Sequence, residues 1–228
     1  MRTKSLLLAA AALAAGVLSS QAQTVYSANI VGYVNQPLPA SQYELITPTL
    51  SVTSTNSAED VLPALQQGDT ILLWTGTTYA TYVYSGTPGL WQEPNNSTGP
   101  APLLPLGQGF FYQNNQLTAE TNTTVGTVAL TNTVTFAASV YTLVGSTPPV
   151  ADSLDGTNLN LPLLSGDSVL LWNPTNSTYE TYTFGSVGQW ELPSGGTGPA
   201  PILPVGAGFF YQNNQLTAET WTNNITVQ

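Results

Sequence analysis

Residues 98–121 read TGPAPLLPLGQGFFYQNNQLTAET, and residues 197–220 read TGPAPILPVGAGFFYQNNQLTAET. The two stretches are identical at 21 of 24 positions, at an offset of 99 residues. Self-similarity at a fixed spacing is typical of proteins built from repeated structural units. The sequence therefore predicts a tandem duplication, in which each copy forms one unit.

Matches upstream of this stretch extend the duplication over most of the chain. Residues 68–74 (GDTILLW) parallel residues 166–172 (GDSVLLW), and Trp91 aligns with Trp190. We therefore place unit 1 at residues 23–124. Unit 2 then occupies residues 125–228.

Each unit is predicted to be β-structure. Threonine, tyrosine and valine are abundant and favour extended backbone, and turn residues recur about every eight to twelve positions. One hairpin is expected to join residues 71–75 to residues 79–84 around Gly76. A second is expected to join residues 109–112 to residues 117–121.

One helical turn is expected in unit 1. Ser57 to Asp60 form a capping pattern ahead of Val61, and Pro63 limits the length of the helix that follows. The predicted fold class is therefore all-β: two tandem homologous β-sandwich or small-barrel units, each with at most one short helical turn.

The N-terminus has the features of a secretory signal peptide. A basic run at residues 1–4 precedes an apolar stretch at residues 5–18, and small residues stand at Ser20 and Ala22. The alternative is a transmembrane anchor, but the apolar stretch is shorter than the roughly 20 residues that span a bilayer. We expect cleavage after Ala22 and a secreted protein, periplasmic or extracellular.

Charge and composition exclude several classes of function. Arg2 and Lys4 are the only basic residues, against twelve acidic ones, so the mature chain has no cationic side chain. Nucleic-acid binding requires such side chains to neutralise phosphates and is excluded. No membrane insertion is expected once the signal peptide is removed. The chain also has no His and no Cys, which excludes Ser-His-Asp triads, thiol nucleophiles and zinc or haem sites.

The carboxylates give little support for catalysis. Asp69 and Glu120 of unit 1 recur as Asp167 and Glu219 of unit 2, whereas a glycosidase needs two carboxyl groups facing one cleft. An Asx-type turn accounts for Asp69, and the alternating pattern around Glu120 indicates a solvated face. We expect no enzyme, no catalytic residue and no cofactor.

A structural calcium site is an open alternative, because calcium prefers several oxygen ligands from one loop. Asp152 and Asp155 lie three residues apart, but their counterparts in unit 1 are not acidic. No metal ligand is therefore assigned.

Aromatic residues provide the candidate binding site. Trp91 and Trp190 lie in Gly- and Pro-rich segments, with Tyr82 and Tyr182 nearby in sequence. Sugars stack on exposed aromatic rings, and two copies would add avidity. The alternative, which we favour for the tryptophans, is that they fill the cores of small β-domains.

The boundary strand VGYVN at residues 31–35 and the Pro-x-Gly-x-Gly-Phe-Phe module at residues 105–111 resemble uncharacterised secreted tandem β-repeat proteins of environmental Gram-negative bacteria. In those proteins the Leu-Ile strand opens on Gly-Trp-Asn, where this chain has Tyr43 and Tyr141. The resemblance implies an all-β secreted module and no known activity.

Two functions remain open. The first is a non-catalytic structural protein of the cell surface or matrix. Residues 31–34, 125–130 and 225–227 look like three copies of one boundary strand, so a terminal strand could complete the sheet of a neighbouring molecule. The second is an extracellular carbohydrate-binding module that uses the loop aromatics. The expected partner is accordingly either another copy of the chain or an extracellular polysaccharide.

Overall fold

The computed structural model describes residues 30–185 and 189–225, and the predicted signal peptide lies outside them. The first repeat contains nine strands: β1 (Val31–Leu38), β2 (Tyr43–Ile46), β3 (Leu50–Ser51), β4 (Thr70–Trp74), β5 (Tyr79–Thr87), β6 (Leu90–Gln92), β7 (Thr98–Gly99), β8 (Phe110–Gln113) and β9 (Glu120–Val128). The second repeat contains ten: β10 (Thr131–Phe136), β11 (Tyr141–Gly145), β12 (Asp152–Ser153), β13 (Ser168–Asn173), β14 (Thr178–Phe184), β15 (Trp190–Glu191), β16 (Thr197–Gly198), β17 (Ile202–Leu203), β18 (Gly208–Gln212) and β19 (Glu219–Asn224).

Each repeat is built around one six-stranded antiparallel sheet. The strand order is β2-β8-β4-β5-β6-β7 in the first repeat and β11-β18-β13-β14-β15-β16 in the second, so equivalent strands occupy equivalent places. A second layer, β1-β9-β3, belongs to the first repeat, and the ribbon β10-β19 belongs to the second. None of the sheets formed by the described strands closes into a barrel. The predicted all-β fold is confirmed, in its sandwich form.

Strands β8 and β18 of the large sheets are buried on both faces. Neighbouring residues on a strand point to opposite sides, so their side chains pack in two different layers. Phe110 and Tyr112 belong to the core of the first repeat, whereas Phe111 belongs to a separate cluster on the other face. Phe209 and Tyr211 have the same relation to Phe210 in the second repeat. The uninterrupted apolar run Phe-Phe-Tyr therefore serves two different packing layers.

The predicted helical turn is present as α1 (Ala58–Val61). The Ser57 side chain accepts from the Asp60 backbone N–H, while the Asp60 carboxylate accepts from the Ser57 N–H, which is a complete capping box. These hydrogen bonds, the one from the Ser57 hydroxyl foremost, lower the pKa of Asp60. The described part of the second repeat has turns at the equivalent place and no helix.

The second predicted hairpin is wrong. The first hairpin forms as expected, with β4 paired to β5. By contrast, β8 pairs with β2 and β4, whereas β9 pairs with β1 and β3. The Asn114-Asn115 turn therefore carries the chain from one layer of the sandwich to the other. Asn114 fixes this crossing by donating to the carbonyl oxygens of Leu38 and Thr118, both at 3.0 Å.

The first two boundary strands pair with each other. Residues 31–34 lie in β1, which runs antiparallel to β9 with Tyr33 opposite Val125. Position 124/125, where we divided the sequence repeat, lies inside β9, whose last residues pair with β3. Of the third boundary strand, residues 226–228 lie outside the described residues, and the Ile225 N–H donates to the Leu130 carbonyl oxygen.

Within residues 30–185 and 189–225, no helix has the length and apolar character needed to cross a bilayer.

Candidate functional site

The two tryptophans predicted to bind a ligand lie inside the repeat cores. Trp91 and Trp190 are both 0% exposed. The Trp91 Nε1–H donates to the Glu59 carboxylate (3.0 Å), and the Trp190 Nε1–H donates to Asp155 (3.3 Å). A fully buried indole has no face on which a sugar can stack, so this placement corresponds to the alternative of core packing.

Tyr82 and Tyr182, the two tyrosines predicted to bind a ligand, are half-buried. Each packs against the core of its own repeat. Tyr82 lies beside the first core and Tyr182 beside the second. The Tyr182 hydroxyl donates to Glu180 (3.1 Å); desolvation, followed by this hydrogen bond, raises the pKa of Tyr182. The four predicted residues therefore belong to two separate cores and not to one common binding surface.

The aspartates that recur in both repeats are buried and accept hydrogen bonds from the surrounding turns. Asp69 is 0% exposed. Its carboxylate accepts from the Tyr112 hydroxyl (2.6 Å), the Gln66 N–H (2.8 Å), the Asn115 N–H (3.1 Å) and the Gln116 side-chain amide (3.1 Å). The repeated sequence Tyr-Gln-Asn-Asn-Gln is thus the clamp that holds a buried carboxylate.

Asp167 repeats this arrangement in the second repeat. It accepts from the Tyr211 hydroxyl (2.7 Å), the Leu164 and Asn214 N–H groups (2.9 and 3.0 Å) and the Gln215 side chain (2.9 Å). Burial, followed by the hydrogen bond to Asp167, raises the pKa of Tyr211. The tyrosine is therefore a neutral hydrogen-bond donor to the carboxylate.

The recurring glutamates lie beside these aspartates and not on a fully solvated face. Tyr211 also contacts Glu219 (3.0 Å), and Gln66 donates to Glu120. Desolvation raises the pKa of both Glu120 and Glu219, and the nearby aspartate adds to the effect.

The loop considered for calcium is closed by its own backbone. Asp152 accepts from the N–H groups of Ser153 (2.9 Å), Asn158 (2.8 Å) and Leu159 (3.3 Å). Desolvation opposes the effect of these hydrogen bonds, which nevertheless lower the pKa of Asp152. In the described part of the chain, no three acidic residues are grouped closely enough to hold a metal ion.

A third apolar cluster joins the outer faces of the two large sheets, and we call it the seam. Its residues are Tyr43, Leu45, Leu72, Trp74, Tyr79 and Phe111 from the first repeat and Leu143, Leu170, Trp172, Tyr179 and Phe210 from the second. Tyr141, which is 41% exposed, packs edge-to-face on Phe210 at the margin of this cluster and is counted with it. Both repeats contribute the same six residue types at equivalent positions. An approximate two-fold axis therefore relates the two halves of the seam.

Contacts across the seam are reciprocal. Trp172 packs edge-to-face on Phe111 at a centroid distance of 4.9 Å, and Trp74 packs on Phe210 at 5.2 Å. The Trp172 Nε1–H donates to the backbone oxygen of Tyr43 (2.8 Å). The corresponding bond from Trp74 to the second repeat is 3.3 Å long. The repeats are thus held together by both aromatic packing and directional hydrogen bonds.

The Gly-x-Gly motif also serves the contact between repeats. Gly107 and Gly206 have φ values of +73° and +74°, in the left-handed region that favours glycine. A Cβ on Gly109 would lie 2.9 Å from the Val144 carbonyl oxygen of the other repeat, and Gly208 makes the reciprocal approach. The motif therefore allows the backbones of the two repeats to meet.

Two equivalent clefts open along the seam, each with a volume of about 260 Å³. The first is lined by Tyr43, Leu72, Tyr79 and Phe111 together with Trp172 and Tyr179. The second is lined by Tyr141, Leu170, Tyr179 and Phe210 together with Trp74 and Tyr79. Between them, the Tyr79 and Tyr179 hydroxyls form a hydrogen bond of 3.1 Å. Each cleft therefore needs both repeats.

Sequence reasoning did not identify these clefts, although a signal was present. Leu72 and Trp74 alternate with residues of the opposite face, and the same alternation recurs at Leu170 and Trp172. Apolar side chains that are identical in both repeats on the second face of a strand indicate a second buried layer.

Strand β1 forms an open edge. Among the described residues it pairs only with β9, and its strand sequence VGYVNQPL has no charge. Val31 and Tyr33 are 70% and 63% exposed, and their neighbour Val125 on β9 is 52% exposed.

The chain has no significant similarity to any family model, curated protein or solved structure. The resemblance to secreted tandem β-repeat proteins therefore stays a prediction.

Proposed function

We propose that this chain is a non-catalytic, secreted structural or surface-associated protein that self-associates by strand addition at β1. The observation that supports this function is the eight-residue open edge of β1 with its exposed apolar side chains. Edge strands expose unpaired N–H and C=O groups, and natural proteins usually protect them with charges, prolines or bulges. Pro37, near the end of the strand, is the one such protection in β1.

The outward side of β1 and β9 gives strand addition an apolar driving force. Tyr33 lies opposite Val125, and Val31 lies opposite Thr127. An added strand would pair with the backbone of β1 and place its own side chains beside Val31 and Tyr33. The equivalent ribbon of the second repeat is polar, with Thr133 opposite Thr222.

The carboxylates support a role without catalysis. Asp69 and Asp167 occupy equivalent positions and have equivalent hydrogen-bond partners in the two repeats. Each is fully buried and accepts four hydrogen bonds. A catalytic carboxylate must reach a substrate, whereas these two hold turns together.

Light scattering on residues 23–228 tests the proposal. We expect the mass of the wild-type protein to grow with concentration. The double variant V31E/Y33E should remain monomeric, because it places like charges along the edge. The matched control is T131E/T133E, which adds the same charge to the outward face of β10 and should assemble like the wild type. A monomeric wild-type protein, or assembly that V31E/Y33E leaves unchanged, would contradict the proposal.

A further inference from the structure

We propose that the two seam clefts are twin binding sites for a small organic cation of the quaternary ammonium type, held by cation–π interactions. This inference does not depend on strand addition at β1, which lies outside the clefts. It predicts two equivalent sites in each chain.

The rings of the first cleft are arranged around Phe111. Tyr43, Tyr79, Trp172 and Tyr179 stand at 89°, 73°, 83° and 69° to its plane, with centroids 4.9–6.3 Å away. Rings that stand roughly perpendicular to a central ring can direct their faces towards a ligand above it, and quaternary ammonium groups bind to such aromatic faces.

The second cleft is built in a similar way around Phe210, with three such rings instead of four. Trp74, Tyr141 and Tyr179 stand at 88°, 89° and 75° to the Phe210 ring, with centroids 5.2–6.1 Å away. A volume of about 260 Å³ is slightly below the range of about 300–1,000 Å³ that is usual for drug-sized ligands. The clefts therefore suit a compact head group.

Each cleft has one wall hydroxyl, that of Tyr43 or Tyr141, without a hydrogen-bond partner among the described residues, and the other polar side-chain atoms of its walls are already paired. The Tyr79 and Tyr179 hydroxyls bond to each other, and the Trp172 Nε1–H is bonded to a backbone oxygen. A sugar would need free donors and acceptors to balance the desolvation of its own hydroxyls. A quaternary ammonium group needs none, because it interacts with ring faces.

Charge selects a cation over an anion. The chain has no Lys or Arg beyond residue 4 and carries twelve acidic residues. The resulting negative potential attracts cations and repels apolar anions such as fatty acids. The negative faces of the aromatic rings act in the same direction at short range.

Isothermal titration of residues 23–228 with choline and with 3,3-dimethyl-1-butanol, its uncharged isostere, tests the inference. We expect two choline sites in each chain and at least about a tenfold preference for choline over the isostere. Glucose serves as a neutral sugar probe. Equal affinity for choline and its isostere would identify plain apolar clefts. Tighter binding of glucose than of choline would identify a sugar site. Absence of choline binding would show that the clefts do not bind a quaternary ammonium group. Each of these three results would overturn the proposal.

Two matched variants assign the sites. Tyr43→Leu removes one wall of the first cleft and Tyr141→Leu removes the equivalent wall of the second, so each should reduce the stoichiometry from two to one. The double variant should not bind choline. Leu117→Ala changes a side chain that is 94% exposed and lies outside both clefts and β1, so it should keep two sites. Thermal unfolding verifies that the variants fold, and unchanged stoichiometry in folded Tyr43→Leu would contradict the assignment.

Discussion

A carboxylate without exposed surface must be satisfied entirely by protein donors, and Asp69 and Asp167 meet this requirement in the same way. Each accepts from a tyrosine hydroxyl, two backbone N–H groups and a glutamine amide. These bonds join the Gly-Asp turn to the Asn-Asn-Gln turn, which are distant in sequence. The aspartate therefore positions the crossing between the two layers of its repeat.

We expect Asp69→Asn and Asp167→Asn each to lower the free energy of unfolding by about 3 kcal/mol. The amide replaces one acceptor oxygen by a donor and leaves buried donors without a partner. Urea denaturation measures the loss. The control is Glu191→Gln, an exposed residue that makes no side-chain hydrogen bond among the described residues. If Asp69→Asn proved as mild as this control, the buried clamp would not be important for stability.

Glu44 makes stability depend on pH. It lies opposite Tyr112 in the sheet, and desolvation raises its pKa from 4.5 to about 6. A carboxyl whose pKa is raised by folding stabilises the fold below its unfolded pKa, and this contribution is lost as the pH rises through 6. Because the group is only half-buried, we expect a loss of about 1 kcal/mol between pH 4.5 and 6.5.

Unfolding curves of the wild type and Glu44→Gln at these two pH values measure that contribution. The variant should lose less stability on going to pH 6.5. Thr142 occupies the equivalent position in the second repeat, opposite Tyr211, so Thr142→Ala should keep the wild-type pH dependence. Identical pH dependence in Glu44→Gln and the wild type would assign the effect to other carboxyls.

Among the strands, β9 shows how close packing restricts residue choice. A Cβ on Gly126 would lie 2.6 Å from the backbone oxygen of Ser51 on β3. Backbone cannot move aside as a flexible side chain can, so a methyl group there must push β9 away from β3. Glycine in this strand therefore reflects strand packing and not a turn.

We expect Gly126→Ala to lower the free energy of unfolding by about 2 kcal/mol, the range typical of overpacking. Thr121→Ala, at an exposed position of the same strand, should change it by less than about 0.5 kcal/mol. Thermal or urea unfolding compares the two. A neutral Gly126→Ala would show that the contact between β3 and β9 adjusts at little cost.

Local features of the fold could be predicted from the sequence. Which face of a strand is buried, and which layer a strand joins, could not. The capping box at Ser57 and the hairpin of β4 and β5 follow from local propensity. The Gly- and Pro-rich surroundings of Trp91 suggested a loop, but β6 turns this side chain into the core. Local pattern also could not show that β8 and β9 belong to different layers, since a short turn suits a hairpin and a crossing equally well.

Across the whole molecule, the seam has the character of a symmetric dimer interface within one chain. Two-fold interfaces bring the same surface together from both sides, and here both repeats contribute the same six residue types, with Tyr141 at the margin of the cluster. Backbone contacts obey the same symmetry, because Thr47 N–H donates to the Gly206 oxygen and Gly145 N–H donates to the Gly107 oxygen, both at 2.9 Å. One repeat alone would therefore present a self-complementary apolar surface.

We expect residues 129–228, produced alone, to form a homodimer through this surface. In that dimer Trp172 of each copy would pack on Phe210 of the other, as Trp172 packs on Phe111 in the intact chain. Light scattering should give twice the fragment mass at micromolar concentration, and circular dichroism should show β-structure. Trp172→Ala should yield a monomer, because it removes the aromatic ring and its hydrogen bond from both halves of the interface. Thr133→Ala, on the outward face of β10, is the control and should stay dimeric. A folded wild-type fragment that remains monomeric would show that the two repeats adhere because they are linked, and not because their surfaces are self-complementary.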